Sequence, residues 1–243
     1  MRKIRYDSVF AIGHYCGTAM YMIRHGLRAM SGPLDWIGGD PNGFANHVDL
    51  ICRDFAGFMP IDRLVPVPNR HGPDDDPVHD YYRDDATKML IYHDFPAGVP
   101  PAESYAEVRA RFDRRIARFY ATVRAARHAL LIYHTIWESL DAAAVAEAAR
   151  RLREKLGAGV DLLVIEHVKD ATEVEERELS PGVDYVRGPF FRPETHIVLG
   201  DRALGDRIYG RIRCRGRLRR RIRNWFKSRK GEKGAGRPTG GAR

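Results

Sequence analysis

Cysteine is scarce in this 243-residue chain, which holds three: Cys16, Cys52 and Cys214. An odd number, at spacings that match neither a disulfide framework nor a zinc-ligand pattern, excludes a stapled secreted scaffold and fits free thiols in a reducing compartment. Long apolar runs are also missing. Nothing approaches the roughly 18 consecutive apolar residues of a membrane-spanning helix. The apolar stretch behind the charged start, "MRKIRYDSVFAIG", is too short for a signal peptide. There is neither a phosphate-binding glycine loop nor a dinucleotide glycine fingerprint, so no nucleotide cofactor is expected, and no residue pattern requires a metal. The expected location is the bacterial cytoplasm, with a peripheral position at the inner membrane face as the variant that the C-terminus allows.

Hydrophobic residues make up 44% of the chain and aromatic residues 10%, enough for a core and too many for disorder through most of the length. At this size one full domain is the expectation. The net charge of +9 is unevenly spread: residues 211–243 hold 14 Lys and Arg against one acid, Glu232, which leaves 27 basic and 31 acidic residues in 1–210. The expected organisation is therefore a mildly acidic domain over 1–210 and a basic tail over 211–243.

"YDSVFAIG" (6–13) reads as a buried strand that ends at glycine. Met20, Ile23, Leu27 and Met30, spaced by three and four, predict a helix through "GTAMYMIRHGLRAM". The turn-rich "SGPLDWIGGDPNG" (31–43) reads as an ordered loop because it also holds Leu34, Trp36 and Ile37. A second helix is predicted over "FANHVDLICRDFAGFM", a surface excursion over 66–86, and a strand over "TKMLIYHDF" (87–95) that delivers His93 and Asp94 at its end. Ser104, with Glu107 three residues later, predicts a capped helix start. "HALLIYHT", "LDAAAVAEAARRLREKLGAG" and "VDLLVIEHV" then read strand, helix, strand with nearly continuous apolar strands, the mark of a buried parallel sheet. "THIVLG" adds a late strand. The fold class that follows is α/β, one domain with a largely parallel central sheet flanked by helices.

Cys16 falls between the first strand and the first helix. A thiol in the first turn of a helix faces unpaired backbone N–H groups and the positive end of the helix dipole, which favour thiolate and can hold a developing oxyanion. Gly13 and Gly17 remove side chains that would obstruct a substrate. The competing reading is a small hydrophobic filler, since cysteine is among the most buried residue types.

"SVFAIGHYC" (8–16), "GPLDW" (32–36) and "YHDF" (92–95), in this order, resemble the DUF1796 family, bacterial proteins described as papain-like cysteine peptidases. The family pattern is a strand with Ser-Leu-Gly-x-x-Cys, a Pro-Phe-Asp-Trp segment and a His-Asp-Phe segment. This chain has Ala11 and Ile12 in place of Ser and Leu, Leu34 in place of the aromatic residue, and an extra histidine, His14. The resemblance implies Cys16 as nucleophile, His93 as general base and an aspartate, Asp35 or Asp94, that orients the imidazole. Asp35 is favoured because Asp94, adjacent to His93 on one strand, should face the other way. His14 is a second candidate base. Gly13, His14, Gly17, Trp36 and His134 are the substrate-side candidates, with Glu166 and His167 behind them, because the carboxyl ends of parallel strands gather in one crevice. The family description points to a papain-like α+β fold as the alternative architecture.

The leading function is a cysteine-nucleophile hydrolase of an amide or ester, with a small-molecule, peptide or glycan substrate. The rivals are an acyltransferase of surface polysaccharide synthesis and a non-enzymatic binding protein. In the segment from Arg211 to Lys230, Ile212, Leu218, Ile222 and Trp225 or Phe226 predict an apolar stripe on a basic helix, followed by a disordered end. Such a helix suits an anionic membrane surface. Nucleic acid competes for the same arginines, without a recognised nucleic-acid fold in the body to support it. A solvated tail is the third reading, and the oligomeric state is open.

Overall fold

A computed structural model describes residues 4–14, 16–38, 43–68, 78–136, 138–168, 171–189, 202–222 and 224. The chain opens with strands β1 (Arg5–Tyr6) and β2 (Ser8–Ala11) and helix α1 (Cys16–Arg24). Its middle section is β3 (Ile37–Gly38), α2 (Gly43–Cys52), β4 (Leu64–Val67), β5 (His79–Asp84) and β6 (Leu90–Pro96). Then come α3 (Pro101–Ala125), β7 (Ala129–Thr135), α4 (Ala142–Leu156), β8 (Val160–Val168), β9 (Glu175–Ser180), β10 (Val183–Pro189), α5 (Arg202–Arg211) and β11 (Arg213–Cys214).

The main sheet has the order β2-β7-β8-β10-β9 and is parallel throughout except for β9. Alternation along β7 divides the core in two. Leu131 and Tyr133 join the layer of α2, α3 and α4, whereas Leu130 and Ile132 meet α1 and α5 on the other face. With helices on both faces, β7 and β8 are buried along almost their whole length, which is why they read as unbroken apolar runs. The α/β class is thus observed, and the α+β alternative is not. An antiparallel sheet, β3-β6-β5-β4, shares the larger core cluster through Ile91 and Phe95. It contributes one half of the candidate site.

Several predicted elements end elsewhere, each for a local reason. α1 stops at Arg24 rather than continuing to Met30: Gly26 takes φ +66°, the amide of Leu27 reaches back to the carbonyl of Met22, and Leu27 is driven into the core. α2 likewise closes at Cys52, where Asp54 and Phe55 adopt positive φ and Phe55 turns inward. The capping box at Ser104 is not used. α3 begins at Pro101, whose fixed φ suits a first helical position, and this leaves the Ser104 hydroxyl inside the helix without a partner. β9 was not legible because it is a charged edge strand, Glu175–Ser180, exposed over most of its length, and its neighbour β10, Val183–Pro189, is buried but was also missed. "THIVLG" lies outside the described residues, as do Trp225 and Phe226. Ile212, expected on an exposed stripe, is instead a core residue at 1% exposure.

Candidate active site

Cys16 is the first residue of α1, half-buried, and its Sγ lies 3.6 Å from Nε2 of His93. The two arrive from different sheets: Cys16 follows β2 of the parallel sheet, and His93 belongs to β6 of the antiparallel one. β6 is irregular at this point. Asp80 pairs with Phe95 and Tyr82 with Ile91, so two steps along β5 span four along β6. Bulged strands re-aim side chains, and here His93 is turned to the thiol, while ordinary alternation points Asp94 into the protein against α3. Rings of Trp36, His79 and Tyr92 stand 5.8, 6.2 and 6.2 Å from the His93 ring and fix its plane.

Burial pushes the Cys16 thiol up to about 11, and its own backbone N–H opposes that only in part. The resting group is therefore a neutral thiol rather than the depressed thiolate that a helix N-terminus alone would produce. Tyr92, next to the sulfur, is also raised to about 12, first by burial and then by Cys16, so it remains a phenol. Gly38 makes room for it: a Cβ there would lie 2.2 Å from the Tyr92 ring.

Both aspartates are committed to arginines. Asp35, 1% exposed, accepts from Arg28 Nε at 2.7 Å and from the Gly32 amide at 2.9 Å. Burial raises its carboxyl against the pull of Arg28. Asp94 accepts from Arg115 at 3.2 Å. Among the described residues neither carboxylate is hydrogen-bonded to His93. Asp35 reaches the site indirectly, because the Arg28 guanidinium it holds lies 5.6 Å over the Trp36 ring, and Trp36 meets His93 edge-on.

His14 is fully buried and turned to a second polar cluster. Tyr133 donates to Glu138 at 2.6 Å and its oxygen accepts from His14 Nδ1 at 2.9 Å, while Thr135 Oγ1 lies 3.2 Å from the same nitrogen. That network assigns the His14 proton to Nδ1. Glu138 also receives the amide of Phe44 at the start of α2. Gly13, with φ +109°, makes room for the His47 ring rather than for a substrate: a Cβ there would sit 2.0 Å from His47 Nδ1. Gly17 is buried in the first turn of α1.

His134 and Glu166 point to opposite faces of the main sheet. His134 Nε2 is 2.8 Å from His167 Nε2 and its Nδ1 is 3.2 Å from the Tyr209 hydroxyl, on the α1 and α5 side. Burial lowers His134 well below the ordinary histidine range. Glu166 accepts from Tyr185 on the other face. The expected single crevice is thus divided by the alternation of the strands. Sequence reading missed Arg28, His47, Tyr92, Tyr133 and Glu138. Period-two alternation within "LLIYHT" was the available signal, since it puts Tyr133 and Thr135 on the face opposite His134. No group of three or more His, Cys, Asp or Glu suited to a metal occurs among the described residues.

A doubly covered parallel sheet with a cysteine at a helix start, met by a histidine from a second sheet, defines an α/β protein with a paired cysteine and histidine. The family model described as "Putative papain-like cysteine peptidase (DUF1796)" matches residues 7–163, well over half of the chain, and the chain belongs to that family. The match includes Cys16, Asp35, Trp36, His93 and Asp94 and stops within β8. Neither the curated proteins nor the solved structures gave a match.

Proposed function

We propose that this protein is a hydrolase that cleaves an amide or ester through a thioester on Cys16, with His93 as general base and then general acid. The 3.6 Å approach of Sγ and Nε2, between side chains 77 residues apart, carries the reading. Because burial keeps the thiol neutral, its proton passes to His93 Nε2 as the sulfur–carbon bond forms. The backbone N–H groups of the first turn of α1 face the carbonyl oxygen as it gains charge. The imidazolium then protonates the departing amine or alcohol, and a water deprotonated by His93 releases the acid and restores the thiol. Asp35 acts through Arg28 and Trp36 as a positioning residue.

The test is an acetyl adduct on Cys16 after incubation with p-nitrophenyl acetate, read by peptide mass spectrometry, together with steady-state turnover. Cys16→Ser should abolish the adduct, and His93→Ala should slow turnover by about 10²–10⁴-fold. The upward-shifted thiol favours one rival, a binding protein in which Cys16 is filler, and absence of any Cys16 adduct in the folded protein would decide for it. Transfer of the acetyl group to an added glycan hydroxyl in preference to water would make the enzyme an acyltransferase.

A further inference from the structure

A groove of about 530 Å³ opens at the surface where β11 and the helical segment 217–222 meet β1. Arg5, Arg213, Arg217, Arg219 and Arg221 line it, with no carboxylate and no aromatic residue among the described lining residues. Several arginines elsewhere on the surface are paired: Arg24 with Asp206, Arg150 with Glu147 and Glu154, Arg207 and Arg211 with Glu176. The groove arginines have no acidic partner among the described residues. Leu218 and Ile222 stand in the same wall at 72% and 49% exposure. Four residues apart on a helix, they share one face.

This surface is held in place. β11 pairs with β1 in the register Arg5↔Arg213 and Tyr6↔Cys214. Arg217 donates to the carbonyl of His25, Arg220 to that of Gly26 and Asn224 to that of Ile23, at 3.0, 2.8 and 2.9 Å, so the segment caps the open C-terminal end of α1. Gly26 lies so close beneath it that a Cβ would be 2.6 Å from the Arg217 carbonyl oxygen. Two apolar side chains are therefore presented outward from a fixed scaffold, inside a ring of uncompensated positive charge. The surface also lies beyond the residues that the family model matches.

We infer that this face docks on an anionic lipid bilayer. Phosphates of either lipid or nucleic acid would satisfy the arginines, but only a bilayer also gains from burying Leu218 and Ile222. Single-stranded nucleic acid would call for an aromatic stacking platform, which the described lining residues lack.

The experiment is co-sedimentation of the full-length protein with vesicles of equimolar phosphatidylcholine and phosphatidylglycerol, with pure phosphatidylcholine vesicles and poly(U) binding in parallel. The anionic vesicles should retain the protein and the neutral ones should not. Arg219→Gln with Arg221→Gln should weaken partitioning on the order of tenfold or more. Leu218→Ser with Ile222→Ser should weaken it by a similar factor while leaving poly(U) binding as it is. All four side chains are exposed, and circular dichroism checks that the fold is retained. Equal retention on both vesicle types would overturn the inference, as would wild-type partitioning of both double variants. An apolar variant that sediments normally, beside an arginine variant that loses vesicles and poly(U) alike, would assign the face to nucleic acid instead.

Discussion

At Cys16 two effects oppose each other: a helix N-terminus favours the thiolate, and burial disfavours it. Burial wins, with the thiol at about 11, so iodoacetamide labelling should be slow at neutral pH and climb about tenfold per pH unit until the thiol titrates. His93→Ala should lower the neutral rate by removing the nearby proton acceptor. A labelling rate that is already flat below pH 7, read by peptide mass spectrometry, would show a preformed ion pair and refute the neutral resting thiol. The Arg28 and Asp35 pair makes a second prediction at this scale. Arg28 is 16% and Asp35 1% exposed, and removing one partner of such a pair leaves a buried charge unanswered. Arg28→Met should cost about 3–5 kcal/mol in urea unfolding. It should also loosen Trp36 against His93, so kcat/KM measured under folding conditions should fall as well. Unchanged stability would remove Asp35 and Arg28 from the supporting role given to them here.

Elements owe their limits to short-range chemistry, and the mistaken boundaries are the ones where two such signals compete. At α3 a proline at the first helical position overrode a capping box three residues inside. At α4 there was no competitor: Asp141 accepts from the amide of Ala144, and Gly157 with φ +122° closes the helix. Asp141→Ala should therefore destabilise the protein by about 1 kcal/mol, measured by chemical denaturation, and a null result would mean that tertiary packing alone holds the start of α4. Ordinary alternation along β6 sends adjacent residues to different partners, His93 to the thiol and Asp94 to the arginines of α3.

For the molecule as a whole, acid should be the weak side. His47 is completely buried, donates from Nδ1 to the Ile12 carbonyl at 2.6 Å, and is lowered to about 3 chiefly by burial. His134 is lowered on the opposite face of the sheet. A histidine whose folded value lies below its unfolded one is neutral in both states above pH ~6.5, and there its contribution to stability is intact. As pH falls below that value the unfolded chain takes up the proton first, so stability is lost at about 1.4 kcal/mol per pH unit for His47, down towards pH 3. Urea unfolding at pH 6.5 and 4.5 should show that slope, and it should be about one proton shallower in His47→Gln. An identical slope in the variant would show that His47 does not carry it.

The sequence by itself determined the α/β class, the two buried strands β7 and β8, the helix between them and the position of Cys16 between a strand and a helix. Apolar continuity, helical spacing and glycine ends are local properties, and a local reading recovers them. The tertiary structure decided which groups share the site. A bulge in β6 and the meeting of two sheets put His93 rather than His14 on the thiol. Both aspartates went to arginines, because a buried carboxylate is stabilised by the nearest guanidinium and not by the partner that a motif proposes. Such pairings join residues far apart in the chain, and no periodicity encodes them.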